Sequence, residues 1–302
     1  MKSIQHRLLL FLRGVAMGAV DLVPGISAGT IAFVTGIYEE LIDSIKSFNL
    51  DALKILKHQG LSAAWRHING EFLLILISGI LFSLFTLAGV MRYFLEAFPL
   101  QLWSFFIGLI IASVIYLLRQ NPPKKFLEVI LLVVGIVVAY SLSVSTAGSM
   151  EGNYLSLFLA GSIALCAMIL PGISGSFILV LLGLYPLFIN ALVNVQWDFL
   201  LIFAAGGVVG LMLFSRLLSW LLNQYKHAVI ATMCGFLIGS LSILWPWKLN
   251  ISTGFENLSP QNYLKFVGQD PQTLTCMLMF LAGFFIVLII EVISLRFKSK
   301  LV

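Results

Sequence analysis

Pro24-Gly25-Ile26-Ser27 and Pro171-Gly172-Ile173-Ser174 interrupt the two apolar stretches 8–45 and 155–193 of this sequence. Proline removes a backbone donor and clashes with the preceding helical turn, and the glycine beside it relaxes the chain further. Each arm has about 15 residues, or roughly 22 Å of helix, which is short for a hydrocarbon core of roughly 30 Å. We therefore expect two re-entrant helical hairpins, each entering and leaving on one side of a membrane.

The rest of the chain is apolar enough for a membrane protein. Of the 302 residues, 60% are hydrophobic and 10% are charged, whereas soluble proteins carry about 25% charged residues. Six further runs are long enough to cross a bilayer as helices, namely 72–92, 101–118, 126–143, 199–222, 228–247 and 274–295. We predict an all-α polytopic membrane protein whose residues 1–302 form a single membrane domain.

The two interrupted stretches are copies of one another. A shift of 147 positions lays Pro171 on Pro24, and later in the halves the shift shortens to 127 because the first half has an extra loop. Residues 1–150 and 151–302 are thus predicted to be two repeats, each a re-entrant Pro-Gly hairpin plus three transmembrane helices. An odd number of crossings inverts the second repeat. Inverted repeats with broken helices are the usual construction of secondary transporters.

Basic residues are distributed unequally between the two sides of this topology. Arg92, Lys248 and Lys265 fall on one side. The side with both termini has Lys2, Arg7, Arg13, Lys46, Lys54, Lys57, Arg66, Arg119, Lys124, Lys125, Lys226, Arg296, Lys298 and Lys300. The positive-inside rule predicts that both termini lie in the cytoplasm. Two fully spanning arms per hairpin would give the same distribution, so charge leaves that alternative open.

Two loops stand out in this arrangement. The cytoplasmic loop 46–70 is expected to contain a short amphipathic surface helix, with Leu50, Leu53 and Leu56 on one side, anchored on anionic lipid. The external loop 248–273 is expected to be irregular. Because the basic residues cluster in loops and form no continuous stripe, nucleic acid is not an expected partner.

The two breaks lie in longer motifs. The first motif is Gly14, Gly18, Asp21, Pro24-Gly25-Ile26-Ser27-Ala28-Gly29-Thr30 and Gly36-Ile37-Tyr38-Glu39; the second is Leu170-Pro171-Gly172-Ile173-Ser174-Gly175-Ser176-Phe177 and Gly183-Leu184-Tyr185. These motifs resemble the two signatures of the polyprenyl-phosphate (undecaprenyl-phosphate) translocase family. Ala28, in place of the usual glycine, and Pro186 depart from the family pattern. The resemblance covers nearly the whole chain. It implies a flippase that returns undecaprenyl phosphate from the outer to the inner leaflet of the cytoplasmic membrane, where the lipid carrier is reused for envelope synthesis.

The chemistry of both motifs suits a lipid phosphate. After each Pro-Gly the second arm begins a helix, which presents free backbone N–H groups and the positive end of its dipole. Hydroxyl groups and glycines add donors and close backbone approach. The candidate substrate-binding residues are Pro24, Gly25, Ser27, Gly29, Thr30, Pro171, Gly172, Ser174, Gly175 and Ser176. The alternative is that these small residues only let helices pack closely.

Charged residues inside a membrane are expensive and usually functional. Asp21, three residues before the first break, and Glu39 are candidates for coupling or gating, although Asp21 could equally be a helix cap. Arg13, Arg92 and Arg216 are candidate phosphate ligands, because an arginine fork grips phosphate through two hydrogen bonds. The alternative for the arginines is that they extend toward the membrane surface.

Three classes of function compete for this sequence. The lipid-phosphate flippase leads, and an ion-coupled secondary transporter of a small anionic solute is the first rival. An intramembrane enzyme would need a nucleophile with an acid–base partner or a metal set, and neither is evident from the sequence. No P-loop indicates ATP hydrolysis, so we expect no cofactor. Protons or sodium are the expected coupling ions, and homo-oligomerisation is left open.

Overall fold

The computed structural model describes residues 4–22, 27–145, 150, 152–251 and 254–298. Within these ranges the chain is mostly helical. The helices of the first half are α1 Ile4–Asp21, α2 Ala28–Val34, α3 Tyr38–Lys46, α4 Leu50–Gln59, α5 Leu61–His67, α6 Gly70–Ala97, α7 Pro99–Gln120 and α8 Phe126–Val144. Those of the second half are α9 Tyr154–Ile169, α10 Gly175–Leu181, α11 Tyr185–Val193, α12 Trp197–Gln224, α13 Lys226–Gly239, α14 Leu241–Leu244, α15 Pro260–Val267 and α16 Thr273–Lys298. Two strands, β1 Lys248–Ile251 and β2 Gly254–Asn257, pair in antiparallel fashion before α15.

The succession of helices repeats along the chain at the shifts seen in the sequence. Helices α10 and α11 begin and end 147 positions after α2 and α3, and α12 begins and ends 127 positions after α6. The shift changes because α4 and α5 occur only in the first half. Helix α16 again begins 147 positions after α8, since β1, β2 and α15 lengthen the second half. The inversion of one half relative to the other stays a prediction.

The second arm of each interrupted stretch is not one helix of about 15 residues, so that expectation was wrong. Each second arm is divided in two by a glycine with a positive φ of 74°, Gly36 in one copy and Gly183 in the other. Behind Gly36, the N–H of Ile37 donates to the carbonyl of Ala32, which is the hydrogen bond that closes a helix in a Schellman motif. The axes of α10 and α11 differ by 115°. We call α1 to α3 the first broken segment and α9 to α11 the second broken segment.

The protein is a multi-pass membrane protein by the length and hydropathy of its helices. In the part of the chain that the structure describes, five helical spans are long and apolar enough to cross a bilayer: α6, α7, α8, α12 and Lys226–Leu244, which comprises α13 and α14. The bent pair α10 and α11 would count as a sixth if it formed one span. Helix α9 and the stretch Thr273–Ile289 of α16 are apolar but shorter. The six predicted spanning runs thus all correspond to apolar helices, and the re-entrance of the broken segments stays a prediction.

The chain folds into two compact units, each of which combines parts of both halves of the sequence. The first unit is Met1–Gly89 with Ala147–Val229. In it, α1 crosses the start of α6 at Gly14 and Gly79, and α9 crosses α12 at Gly161 and Gly206. A Cβ on any of these glycines would collide with a backbone carbonyl of the facing helix, so the crossings require glycine, as is common between membrane helices.

The second unit is Val90–Thr146 with Ile230–Val302. Its helix pairs are α7 with α16, which cross at Gly108 and Gly283, and α8 with α13, which cross at Gly135 and Gly235. Each of these pairs joins a helix of one half to a helix of the other, whereas the two glycine crossings of the first unit each join helices of one half. The repeats of the sequence are therefore interleaved in the fold.

The predicted surface helix and the external loop both differ in detail from expectation. The loop 46–70 contains two short helices, α4 and α5, separated at Gly60 with φ 83°. The loop 248–273 is not irregular, because it contains the β1–β2 hairpin and α15. The indole N–H groups of Trp245 and Trp247 donate to the carbonyls of Leu258 and Pro271, each at 2.8 Å. Strands of four residues carry too little periodicity to be recognised in a sequence.

Candidate functional site

The second break is a tight turn that follows directly from its sequence. The N–H of Ile173 donates to the carbonyl of Leu170 at 3.3 Å, which closes a four-residue turn with Pro171 and Gly172 in its centre. Proline is favoured at the first central position of a type II turn, and glycine at the second because φ there is positive. Gly172 has φ 81°. Pro-Gly therefore ends α9 and reverses the local path of the chain at this point.

The hydrogen bond that this turn breaks is replaced by side chains of the first motif. In a continuous helix the N–H of Gly172 would donate to the carbonyl of Met168, four residues earlier. Instead it donates to Oγ1 of Thr30 at 3.1 Å, and the Met168 carbonyl accepts from Oγ of Ser27 at 2.6 Å. Ser27 and Thr30 are 1% and 0% exposed, and each of the four polar groups has a hydrogen-bond partner, as buried polar groups require.

Two glycines of the motifs lie in close contact with a backbone carbonyl of α9. A Cβ at Gly29 would collide with the carbonyl of Ile169, in the last turn of α9, and a Cβ at Gly175 would collide with the carbonyl of Ala164. Gly29 thus marks a backbone contact between the two segments, whereas Gly175 marks one inside the second segment. Ser27 also caps α2, since its Oγ accepts from the N–H of Gly29 at 3.1 Å.

The hydroxyl groups of the second motif are arranged differently. Oγ of Ser174 and Oγ of Ser176 are 2.9 Å apart and hydrogen-bonded to each other. Ser174 is half-buried and Ser176 is exposed. The position equivalent to Thr30 is Phe177, which has no hydroxyl to tie to the first segment. The second motif therefore presents a hydroxyl pair at an accessible surface.

The first break lies largely outside the described residues, which include neither Pro24 nor Gly25. The flanking residues are described, and they connect across the gap: Oδ1 of Asp21 accepts from the N–H of Ala28 at 3.4 Å. Asp21 is half-buried. Its contact is that of a helix cap, because the acceptor satisfies a backbone donor at the start of α2.

The three candidate arginines have three different environments. Arg13 is half-buried in α1, and Glu40 interacts with it electrostatically. The Arg92 side chain is 80% exposed, and its Nε lies 2.8 Å from Oε1 of Glu96 one turn further along α6. Arg216 is exposed in α12. Sequence analysis grouped these residues, but the structure gives them no common partner within its described part.

A polar network that sequence analysis missed ties α3 to α12 and to the start of α13. Oε1 of Glu39 lies 2.5 Å from Nζ of Lys226. Oγ of Ser219 donates to Oδ1 of Asp43 at 2.7 Å and accepts from Nζ of Lys46 at 3.0 Å. Ser219 is 1% exposed. The sequence does contain a signal for this network: α3 has Glu39, Glu40, Asp43 and Lys46 within nine residues, which is unusual for part of an apolar stretch.

These features define a class: a multi-pass membrane protein in which Ser27 and Thr30 of one Pro-Gly motif contact the break of the other, whose Ser176 is exposed. The chain belongs to the undecaprenyl phosphate translocase-like family, whose pattern its residues 17–261 match. It is 44% identical over 292 residues to a polyprenyl-phosphate transporter of Vibrio cholerae serotype O1, covering 93% of this chain and 95% of the relative. It is 32% identical over 260 residues to a polyprenyl-phosphate transporter of Staphylococcus aureus, covering 80% of this chain and 87% of the relative. A search of solved structures found no match.

Proposed function

We propose that this protein is a flippase that returns polyprenyl phosphate, in particular undecaprenyl phosphate, from the outer to the inner leaflet of the bacterial cytoplasmic membrane. Membership of the family and two curated relatives named polyprenyl-phosphate transporter support this substrate. Return to the inner leaflet would make the lipid carrier available again for envelope synthesis. Both termini then lie in the cytoplasm, as the unequal distribution of basic residues favours.

The observation that carries the proposal is the meeting of the two motifs in one unit of the fold. Ser27 and Thr30 contact the second break, and the Ser174–Ser176 pair is accessible beside it. Hydroxyl groups can donate to phosphate oxygens without burying a cation in the membrane, which would be costly. The phosphate is accordingly bound where the two broken segments meet, with Pro24, Gly25, Gly29, Pro171, Gly172 and Gly175 shaping the backbone around it.

The arginines supply positive charge at other stages of the transport cycle. Arg216 is the foremost candidate, since it is exposed on α12 and makes no hydrogen bond or ion pair with any part of the chain that the structure describes. Arg13 and Arg92 already face Glu40 and Glu96. A phosphate would have to compete with those carboxylates, so these two arginines have the weaker claim.

Protons or sodium ions drive the cycle through Asp21 and Glu39. A carboxylate at Asp21 accepts from the N–H of Ala28, and protonation weakens that acceptor because it removes the charge. The start of α2 is then less firmly tied to the end of α1. Protonation of Glu39 would likewise weaken its ion pair with Lys226.

Leaflet exchange in proteoliposomes tests the proposal. Radiolabelled undecaprenyl phosphate is distributed over both leaflets, and an impermeant phosphatase is added outside. We expect wild-type protein to make all of the lipid accessible, and a pH or sodium gradient to change the rate. The double variant Ser174→Ala/Ser176→Ala should lower the exchange rate by about tenfold or more, since each lost hydrogen bond to a charged group is worth about 1.5–3 kcal/mol.

The matched control is Ser78→Ala, which removes an exposed hydroxyl that bonds only within α6 and should leave exchange unchanged. Vesicles in which half of the lipid stays protected with wild-type protein would contradict the proposal. Uptake of inorganic phosphate in place of lipid exchange would favour the small-anion transporter.

A further inference from the structure

We infer that Ser27 and Thr30 are positioning residues that stabilise the turn at Pro171-Gly172, and that the substrate is contacted by the second motif. This inference rests on the proposed function, because it assigns positioning to the first motif and substrate contact to the second motif of the same site. It also separates residues that sequence analysis had grouped as equivalent substrate ligands.

The first argument is the pairing of the hydrogen bonds. At the turn, the N–H of Gly172 and the C=O of Met168 are not bonded to each other, as they would be in a continuous helix. Its donor and its acceptor are each taken up by a hydroxyl of the first motif, at 3.1 Å by Thr30 and at 2.6 Å by Ser27. A buried donor or acceptor without a partner destabilises a fold. The two hydroxyls therefore stabilise the broken conformation selectively, since a continuous helix would need neither of them.

The second argument is accessibility. Ser27 and Thr30 are almost completely buried, so a lipid headgroup reaches them only if the segments separate. Ser176 is exposed, and Ser174 is half-buried. The Ser174–Ser176 bond uses one hydroxyl hydrogen, and a hydroxyl pair of this kind keeps one more donor for a ligand.

The third argument is the lack of reciprocity between the motifs. The residues equivalent to Ser27 and Thr30 are Ser174 and Phe177. Phenylalanine has no hydroxyl oxygen, so Phe177 cannot form the bond that Thr30 forms with the backbone of the other motif. The helix is thus interrupted in both copies, between α1 and α2 and between α9 and α10. Among the described residues, the two hydroxyl groups that bond to the backbone of the other segment occur only in the first copy.

Amide hydrogen exchange at Gly172 in the full-length protein tests the inference without requiring transport. Thr30→Val removes the acceptor with little change in volume, and we expect the Gly172 amide to exchange about tenfold faster or more. Thr30→Ser retains the hydroxyl and should restore protection. Thr86→Val, on an exposed threonine that bonds only within α6, is the matched control and should leave Gly172 protected. Peptides from α7 and α16 report whether the rest of the fold is intact.

Leaflet exchange of undecaprenyl phosphate provides the second readout. We expect Thr30→Val to lower the maximal rate and Thr30→Ser to restore it, whereas Ser176→Ala should mainly raise the lipid concentration at half-maximal rate. Unchanged protection of Gly172 in Thr30→Val would overturn the inference. A raised half-saturation concentration with unchanged protection would do so too, because it would make Thr30 a direct ligand. If wild-type protein exchanges no lipid, the proposed function fails, and the Gly172 amide still decides the positioning role. If Thr30→Val does not accumulate, Thr30→Ala replaces it with the same expectation.

Discussion

The first and second broken segments have the same succession of helices and opposite distributions of polar side chains. In the first segment, Ser27 and Thr30 are buried, and α3 has Glu39, Asp43 and Lys46 in contacts with the second half of the chain. The equivalent positions on α11 are Pro186, Asn190 and Val193. Backbone-determining residues are thus shared by the copies, whereas the hydroxyl of Thr30 and the charged residues of α3 occur only in the first. Equivalence in a sequence repeat predicts an equivalent backbone and leaves the role of each side chain open.

The largest expected effect tests whether the two broken segments end on opposite sides of the membrane, as inverted repeats require. Asn194 follows α11, and Lys57 lies in the loop after α3; both are exposed. With the three native cysteines replaced by alanine, we expect Asn194→Cys to react with an impermeant reagent added outside whole cells and Lys57→Cys to stay unlabelled. The effect should be all or none, because a charged reagent does not cross the bilayer. External labelling of Lys57→Cys would refute the inverted arrangement.

The next largest effect should come from removing a break. Pro171→Ala/Gly172→Ala restores a backbone donor and removes the residue that adopts φ 81°, so α9 can continue as a helix. We expect lipid exchange to fall more than about tenfold while the protein still accumulates in the membrane. Pro24→Ala/Gly25→Ala is the matched change in the first segment and should have a similar effect. Normal exchange in both variants would reduce the breaks to packing features.

A smaller effect should distinguish contacts between segments from contacts within one. A Cβ at Gly29 would collide with the other segment, and a Cβ at Gly175 with its own. Overpacking costs about 1–3 kcal/mol, so thermal unfolding in detergent should occur at lower temperature for both alanine variants, and more so for Gly29→Ala. Gly89 has no atoms close enough to meet a Cβ. Gly89→Ala should therefore be neutral or slightly stabilising, and an equally neutral Gly29→Ala would show that the segments do not touch there.

The smallest predicted effect concerns the arginines. If Arg216 binds phosphate through its planar fork, Arg216→Lys should lower the exchange rate, because an ammonium cannot form the same paired bonds. Arg92→Lys should have less effect, since Arg92 is largely exposed and pairs with Glu96 on its own helix. The comparison is made at matched protein levels. A wild-type rate and wild-type lipid affinity for Arg216→Lys would remove this residue from the site.

The hydrophobic runs, the repeated succession of helices and the Pro-Gly turn at Pro171 could be predicted from the sequence, because each depends on local composition or spacing. The second interruption at Gly36 and Gly183 was visible as part of a motif, but a single glycine in an apolar run does not reveal that its φ is positive. The partners of Ser27, Thr30 and Ser219 were not predictable. Those partners lie more than 140 positions away in the chain, and a hydroxyl in a helix is compatible with many partners.

The central claim is that the accessible second motif binds the phosphate of a polyprenyl lipid, and protection of Ser176→Cys tests it most directly. The variant is placed in liposomes in the cysteine-free background and treated with a small anionic thiol reagent. We predict that undecaprenyl phosphate slows the reaction in a saturable manner and that undecaprenol, which has the same chain and no phosphate, does not. Equal protection by both lipids, or protection by neither, would contradict the claim.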